Sequence, residues 1–192
     1  MKNKNFILPL ITMGFVMLLI FGCKKKDDTS TALAVGQSYQ GGVIAYISVS
    51  GDPGYVSGET HGLIATPGDV SASIQWYNGS YVTTNATSAS AGNTNTETIV
   101  NQQGAGSYAA KICYDLSLGG YSDWYLPSKG EMLKLWANKA TIGGFTATDY
   151  WTSTEYAPQG QGNAWYFKTN AGGSPDYGNK ANVFAVRAVR AF

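Results

Sequence analysis

The chain of 192 residues is 44% hydrophobic and only 13% charged, so it is not a disordered polyelectrolyte and is long enough for a targeting segment plus one domain. Its 24 glycines and 13 tyrosines indicate a fold rich in turns, short strands and aromatic packing. The formal charge is +1, and it becomes −1 if Lys2 and Lys4 are removed with a leader segment. This balance excludes the basic footprint of a nucleic-acid-binding protein.

The first 23 residues have the pattern of a secretory signal that ends in a lipid anchor. An apolar run at 6–21 follows two lysines, and it is short for a transmembrane helix but long enough for a signal-peptide core. The run ends on Gly22-Cys23, which resembles a bacterial lipobox. We therefore expect a signal peptide at 1–22, lipid attachment at Cys23 and a lipidated tether at 23–36. An uncleaved membrane anchor is the alternative.

The segment 24–28 (KKKDD) resembles the lysine-then-acidic export signal of Bacteroidetes surface lipoproteins. It predicts a lipid-anchored protein of the outer membrane that faces the cell surface and touches the membrane only through its anchor. The alternative interpretation is a solvated tether without export information.

Residues 37–192 are predicted to form one domain, which begins with short apolar strands bounded by glycine and proline. These strands are predicted at 43–47, 62–65 and 74–76. An uncharged segment rich in Asn, Ser, Thr and Gly follows at 78–96 and predicts a long loop.

Helical patterns occupy the middle of the domain. Thr94 and Glu97 have capping-box spacing, which predicts a helix that begins near Asn95. Apolar periodicity resumes at 108–116, so the region is either one interrupted helix or two short ones. Cys113 lies within this apolar pattern, and we expect it to be a buried small hydrophobe rather than a nucleophile.

The segment 119–136 (GGYSDWYLPSKGEMLKLW) is the clearest strand-to-helix transition in the chain. Residues 123–126 read as a short strand that ends at Pro127. Ser128 and Glu131 have capping-box spacing and predict the start of a helix that runs to about residue 139. Trp124 and Trp136 are expected in the core.

Three alternating segments predict strands near the end of the chain, at 150–156, 164–169 and 183–192. In the second, Trp165 is expected to point inward and Tyr166 outward. Arg187 and Arg190 are three residues apart in the last strand and would point to opposite faces. A half-buried arginine needs a carboxylate, and we expect Glu155 or Asp123 to supply it.

Several ordered motifs resemble the Legionella collagen-like protein C-terminal domain family and its relative, the Fibrobacter succinogenes major paralogous domain. The motifs are GGYSDWYLPSKGEM, YWTSTEY, AWYF and VRAVRAF. The resemblance implies an α+β, C-type-lectin-like fold with two helices packed on a small, twisted, mainly antiparallel sheet and long loops. It also implies an extracytoplasmic setting and an adhesin-like role, since the best understood members bind sulfated polysaccharide.

The residues themselves favour a neutral ligand, because the lysines are interspersed with acids and form no basic cluster. The segments 156–163 and 170–182 are rich in Tyr and Asn, which suit stacking on a sugar ring and hydrogen bonding to hydroxyls or to a protein. The predicted ligand-binding residues are Tyr156, Gln159, Asn163, Tyr166, Asn170, Asp176, Tyr177 and Asn179. A sequence-diversified receptor-binding surface is an alternative use of the same loops.

Catalytic patterns are weak, and we expect no catalytic residue, no metal and no cofactor. His61, the single histidine, lies near Glu59 and Asp69, which makes a metal site conceivable, but a glycine-rich loop lacks the rigid elements that hold zinc. The alternative function is a carbohydrate-active enzyme that pairs Glu155 with Asp123 or Asp149.

Overall fold

The computed structural model describes residues 32–146, 149–170 and 172–192, which belong to the unit Ala32–Phe192. The predicted signal peptide, the lipidation site Cys23 and most of the tether lie outside the described residues. Within the described ranges, no helix has both the length and the apolar character needed to cross a membrane.

The described residues form an α+β fold with two sheets rather than the single small sheet that was expected. The first sheet has the order β1-β2-β3-β9 and the second has the order β4-β8-β5-β6-β7. Pairing is antiparallel except between β5 and β8. The strands are β1 Ser38–Tyr39, β2 Gly42–Ile47, β3 Gly62–Ala65, β4 Ser71–Gln75, β5 Asp149–Glu155, β6 Asn163–Lys168, β7 Ser174–Asn179, β8 Val183–Val186 and β9 Val189–Ala191.

The segment 183–192 is not the single strand that alternation predicted. It divides into β8 and β9, which belong to different sheets, and Arg187 and Ala188 lie between them. The segment after β3 is hydrogen-bonded to residues on both sides of Arg187. Thr66 N–H donates to the Ala188 carbonyl at 3.0 Å, and Val70 N–H donates to the Val186 carbonyl at 2.7 Å. The end of the chain thus joins the two sheets.

The helical middle of the chain is two short helices, α1 Gly92–Gln103 and α2 Ala109–Tyr114. The predicted capping box of Thr94 and Glu97 is wrong, because α1 begins earlier and its N-cap, Ala91, has no capping side chain. The Gly92 N–H donates instead to Glu131 Oε2 at 3.1 Å. A carboxylate of the helix Lys129–Ala137 therefore satisfies one free N–H group at the start of α1.

The capping box of Ser128 and Glu131 is present at the start of α3, Lys129–Ala137. This helix ends two residues earlier than predicted, and the short helix α4, Lys139–Ile142, follows it. A 3₁₀ turn at Ala157–Gly162 connects β5 to β6. Only the start of α3 was predicted by a local signal, and Asn138 separates α3 from α4.

Residues 123–126 are extended but do not form a strand, since only Tyr125 makes a bridge, to Val189. Trp124 is buried as expected. Trp136 is only half-buried, and its Nε1–H donates to the Gly172 carbonyl at 3.0 Å, so it covers the edge of the core rather than its centre.

The core lies on both sides of β5, because every residue from Tyr150 to Glu155 is buried and successive side chains point to opposite faces. One cluster contains Trp76, Trp124 and Trp151, and the other is built around Met132 and Phe167. Cys113 is fully buried in the first cluster, and burial raises the pKa of its thiol. It has the environment of a small hydrophobe.

Candidate functional site

The predicted binding residues do not form one surface, because a sheet divides them. Asp176, Tyr177 and Asn179 lie on β7, an edge strand, and not in a loop as predicted. In the register of β6 and β7, Trp165 lies opposite Tyr177 and Tyr166 lies opposite Asp176. Side chains alternate along a strand, so Tyr177 and Asp176 point to opposite faces.

One face carries an aromatic cluster, which we call the aromatic face and define as Lys129, Tyr156, Trp165 and Tyr177. The rings of Tyr156 and Tyr177 stack in parallel, with centroids 4.0 Å apart and planes 5° apart. Trp165 meets them edge-on at 5.3 and 6.0 Å, and Lys129 Nζ lies 4.1 Å from the Trp165 ring centroid. Tyr177 is 40% exposed.

Trp165 and Lys129 were not among the predicted binding residues. Trp165 was expected to point into the core with Phe167, but it is only half-buried. Lys129 reaches the cluster from the first turn of α3, which no sequence pattern within β6 or β7 indicates. The Trp165 ring contacts Tyr156, Tyr177 and Lys129, which belong to neither core cluster, and it is therefore only partly covered.

On the opposite face, Tyr166 and Asp176 contact other side chains of the protein. The ring centroid of Tyr166 lies 4.5 Å from that of Phe184 and 6.1 Å from that of Trp151. The expectation that Tyr166 points outward is therefore wrong. Asp176 forms an ion pair with Lys168, and this hydrogen bond lowers the pKa of the Asp176 carboxyl. Neither residue belongs to the aromatic face.

The remaining predicted binding residues border the strands. Asn163 and Asn179 are register partners at one end of β6 and β7. The Asn179 Oδ1 atom accepts a hydrogen bond from Tyr81 O–H at 2.7 Å, which ties β7 to the long loop after β4. Gln159 lies in the 3₁₀ turn, and Asn170 is exposed after β6.

The expected pairing of Asp123 with an arginine of the last strand is present. Arg190 donates from Nε to Asp123 Oδ1 at 2.7 Å and from a terminal nitrogen to Oδ2 at 2.8 Å. The Arg190 hydrogen bond holds the pKa of the Asp123 carboxyl below its usual value. Arg190 also bonds Gln40 and stacks 4.0 Å from the Tyr121 ring centroid, so it links three segments.

Glu155 pairs with Lys180 and not with an arginine, so that alternative of the prediction is wrong. The carboxylate also accepts hydrogen bonds from Thr84 N–H, Thr84 O–H and Asn85 N–H at 2.7 to 3.1 Å. Its side chain is closed to solvent. Glu155 therefore anchors the long loop after β4 to β5.

Arg187 is fully buried, and none of the ion pairs formed by the described residues includes it. Its guanidinium instead donates to the Thr66 carbonyl at 3.0 and 2.8 Å, to the Pro67 carbonyl at 3.5 Å and to the Gly143 carbonyl. The expectation that a buried arginine requires a carboxylate is wrong here, because backbone carbonyls satisfy its donors. Burial lowers the pKa of Arg187.

Sequence reasoning missed a cleft of about 640 Å³ between the β2–β3 loop, the starts of α1 and α3, and the end of β9. Within it, Lys134 Nζ lies 2.6 Å from Asp52 Oδ1, and Tyr46 O–H donates to Asp52 Oδ2 at 2.7 Å. The hydrogen bond from Lys134 is the main cause that lowers the pKa of Asp52 to about 2. The hydrogen bond to Asp52 raises the pKa of Tyr46 to about 12.

His61 borders the same cleft, and its geometry is that of an ion-pair partner. Its Nε2 lies 2.8 Å from Glu59 Oε2 and its Nδ1 lies 3.1 Å from the Phe192 backbone oxygen. Both partners are acceptors, so a protonated imidazole can donate to both of them. The hydrogen bond to Glu59 is the main cause that raises the pKa of His61.

Asp69, the third residue of the conceivable metal site, lies elsewhere. Its Oδ2 accepts hydrogen bonds from Thr146 O–H at 2.6 Å and from Tyr150 O–H at 3.0 Å. Among the described residues, His, Cys, Asp and Glu side chains form no group of three or more that could hold a metal ion.

Comparison with known proteins places the chain in a family. No curated protein matches it. The sequence pattern of the Lcl C-terminal domain matches residues 66–190, which is more than half of the chain and includes the helices, the aromatic face and β5–β8. This chain therefore belongs to the Lcl C-terminal domain family.

Proposed function

We propose that this protein is a lipid-anchored, adhesin-like binding module of the outer membrane, with a C-type-lectin-like domain that recognises a glycan or a protein outside the cell. The proposed location in the outer membrane is supported by the signal pattern that ends at Cys23 and by the lysine-then-acidic segment at 24–28. The fold is supported by family membership and by helices packed beside mainly antiparallel sheets. The Bacteroidetes setting rests on the export-like segment alone.

The aromatic face is the observation that carries this proposal. Parallel rings at 4.0 Å hold Tyr156 and Tyr177 in one orientation, so little side-chain freedom is lost when a ligand binds. Tyrosine also offers an apolar ring for stacking and a hydroxyl for hydrogen bonding. Of the predicted polar partners on β6 and β7, Asn163 and Asn179 lie on this face by register.

The charge of the aromatic face favours a ligand without strong negative charge. Lys129 is its only cation, and that ammonium lies over Trp165. A sulfated polysaccharide needs clustered Lys and Arg, which this face lacks among the described residues. The alternative of a carbohydrate-active enzyme draws no support from Glu155, because its carboxylate is closed to solvent and held by Lys180.

A glycan array probed with the full-length protein in mild detergent tests the proposal. We expect selective binding that falls at least tenfold in the double variant Tyr156→Ala/Tyr177→Ala, because the stacked platform is lost. Leu133→Ala is the control, since Leu133 is a large apolar side chain of similar exposure on α3 that lies outside the aromatic face and lines neither cavity. Binding retained by the double variant would refute the aromatic face as the binding surface.

The predicted anchor needs its own measurement. Metabolic labelling with a fatty-acid probe should mark the wild-type protein and should not mark Cys23→Ala, and protease added to intact cells should digest the wild-type domain. Labelling that persists in Cys23→Ala would refute the anchor.

A further inference from the structure

Different residues of α3 contribute to the cleft and to the aromatic face. Lys129 reaches over Trp165, whereas Glu131 and Lys134 line the cleft. A variant in one place therefore need not disturb the other. The cleft is thus a separate concave feature, and its volume lies within the range of about 300–1,000 Å³ that is usual for ligand sites.

The lining of the cleft offers several hydrogen-bonding groups. It includes the Asp52–Lys134 ion pair, whose side chains are 15% and 29% exposed. Asp52 Oδ2 accepts from Tyr46 O–H and Val49 N–H, whereas Oδ1 accepts from Lys134. Ser90, just before α1, and Asn93, in its first turn, are exposed and line the same cleft. A ligand in the cleft therefore meets both donors and acceptors.

Most charged side chains at the cleft are paired with an opposite charge. Asp52 pairs with Lys134, His61 pairs with Glu59 at the border, and Glu131 is the remaining acid. Glu131 is nevertheless occupied, because it accepts hydrogen bonds from Ser128 N–H at 2.7 Å, Gly92 N–H at 3.1 Å and Tyr125 O–H at 3.1 Å. A site whose charges are mostly paired does not attract a polyanion or a polycation, so the charge favours a neutral polar ligand.

Two residue pairs beneath the cleft already exchange backbone hydrogen bonds, so these four residues are not free to pair with an extended peptide. Gly62 and Phe192 exchange N–H···O bonds at 3.1 and 3.2 Å, and Tyr125 and Val189 exchange them at 2.8 and 2.9 Å. A peptide that adds a strand needs a sheet edge with free backbone groups. The side chains of the cleft offer further groups, and charged side chains bind hydroxyl groups strongly.

We propose that the cleft is a second ligand site that binds the end of a neutral oligosaccharide. Asp52 accepts a hydrogen bond from one sugar hydroxyl and Lys134 donates to its neighbour, while Ser90 and Asn93 bond the opposite edge of the ring. A smaller pocket of about 420 Å³ continues the cleft past Asn93, Tyr125 and Ala191, and it gives room for further sugar units.

Calorimetric titration of the full-length protein in mild detergent tests this proposal. The probes are cellotriose, maltotriose, mannotriose and chitotriose, with trialanine as the neutral peptide probe. We expect at least one trisaccharide to bind at millimolar concentration or below and trialanine not to bind. Lys134→Gln and Asp52→Asn should each weaken binding about tenfold or more, because each removes a charge-assisted hydrogen bond.

The matched control is Lys111→Gln, since Lys111 also pairs with an aspartate on the surface but lies on α2, away from the cleft. Thermal unfolding of each variant verifies that it is folded. The proposal is overturned if no trisaccharide binds at millimolar concentration, if trialanine binds as well, or if binding survives both Lys134→Gln and Asp52→Asn.

Two further outcomes separate this site from the aromatic face. Trisaccharide binding that is lost in Tyr156→Ala/Tyr177→Ala and kept in the cleft variants assigns the sugar to the aromatic face and overturns the cleft proposal. Trisaccharide binding that is lost only in the cleft variants supports the cleft as the sugar site. This conclusion does not depend on the glycan-array result for the double tyrosine variant.

Discussion

Lys180 and Glu155 form an ion pair that is closed to solvent, with side-chain exposures of 1% and 0%. The ammonium also donates to the Val82 carbonyl at 2.9 Å and lies 4.6 Å from the Trp76 ring centroid. The pair therefore fixes the turn between β7 and β8, strand β5 and the long loop after β4 to one another. The segment predicted as an uncharged long loop is thus held in place by a buried charge.

Removing one member of this pair should be strongly destabilising, because the other charge stays buried without its partner. We expect Lys180→Met and Glu155→Gln each to lower the free energy of unfolding by about 3–5 kcal/mol. Urea denaturation measures the change. The double variant Lys180→Met/Glu155→Gln should recover part of the loss, because no unpaired buried charge remains and the amide oxygen can still accept from Thr84.

Lys168→Gln is the control for this experiment, since Lys168 pairs with Asp176 on the surface with a side-chain exposure of 40%. Its effect should be much smaller than that of Lys180→Met, because exposed ion pairs are screened by water. Equal effects of the two substitutions would contradict a special role for the buried pair.

Arg187→Lys tests the role of backbone carbonyls as partners of a buried cation. One ammonium cannot reproduce the planar fork that bonds Thr66, Pro67 and Gly143 together, although the charge is retained. We expect the free energy of unfolding to fall by about 2 kcal/mol, the scale of one or two lost charged hydrogen bonds. An unchanged denaturation midpoint would show that these bonds do not stabilise the fold.

The Asp123–Arg190 pair should make stability depend on pH in the acid range. Because the pKa of Asp123 is lower in the folded state, its contribution is fully present above the unfolded value of about 3.9 and is lost as pH falls through the folded pKa. Asp123→Asn should therefore destabilise the protein at pH 7 and have a smaller effect near pH 2. A constant difference between the two proteins across this range would contradict the linkage.

The single histidine gives a direct probe of the cleft. Because Glu59 raises the pKa of His61, NMR titration of its ring protons should give a value above the ordinary 6.5 or so. The associated stability is present below the unfolded pKa and is lost as pH rises through the folded one. Glu59→Gln should return the pKa towards the ordinary value, while Glu97→Gln, a change of an exposed glutamate on α1, should not.

Features that depend on residues a few positions apart were predictable from the sequence. The capping box of Ser128 and Glu131 forms because both partners lie within one helical turn. Strand β3 is bounded by turn residues and appears as predicted. The burial of Cys113 follows from its apolar neighbours. These signals act locally, so the linear order of residues is enough to read them.

Features that depend on which segments become neighbours were decided only by the tertiary structure. Strand order makes β7 an edge, and the register with β6 then places Tyr177 and Asp176 on opposite faces. The pairing of Lys180 with Glu155 and the division of the last strand at Arg187 also follow from packing between distant segments. The cleft combines four separate parts of the chain. Sequence by itself determined where most helices and strands occur, and only tertiary contacts decided which side chains meet, because local patterns carry no information about sheet order.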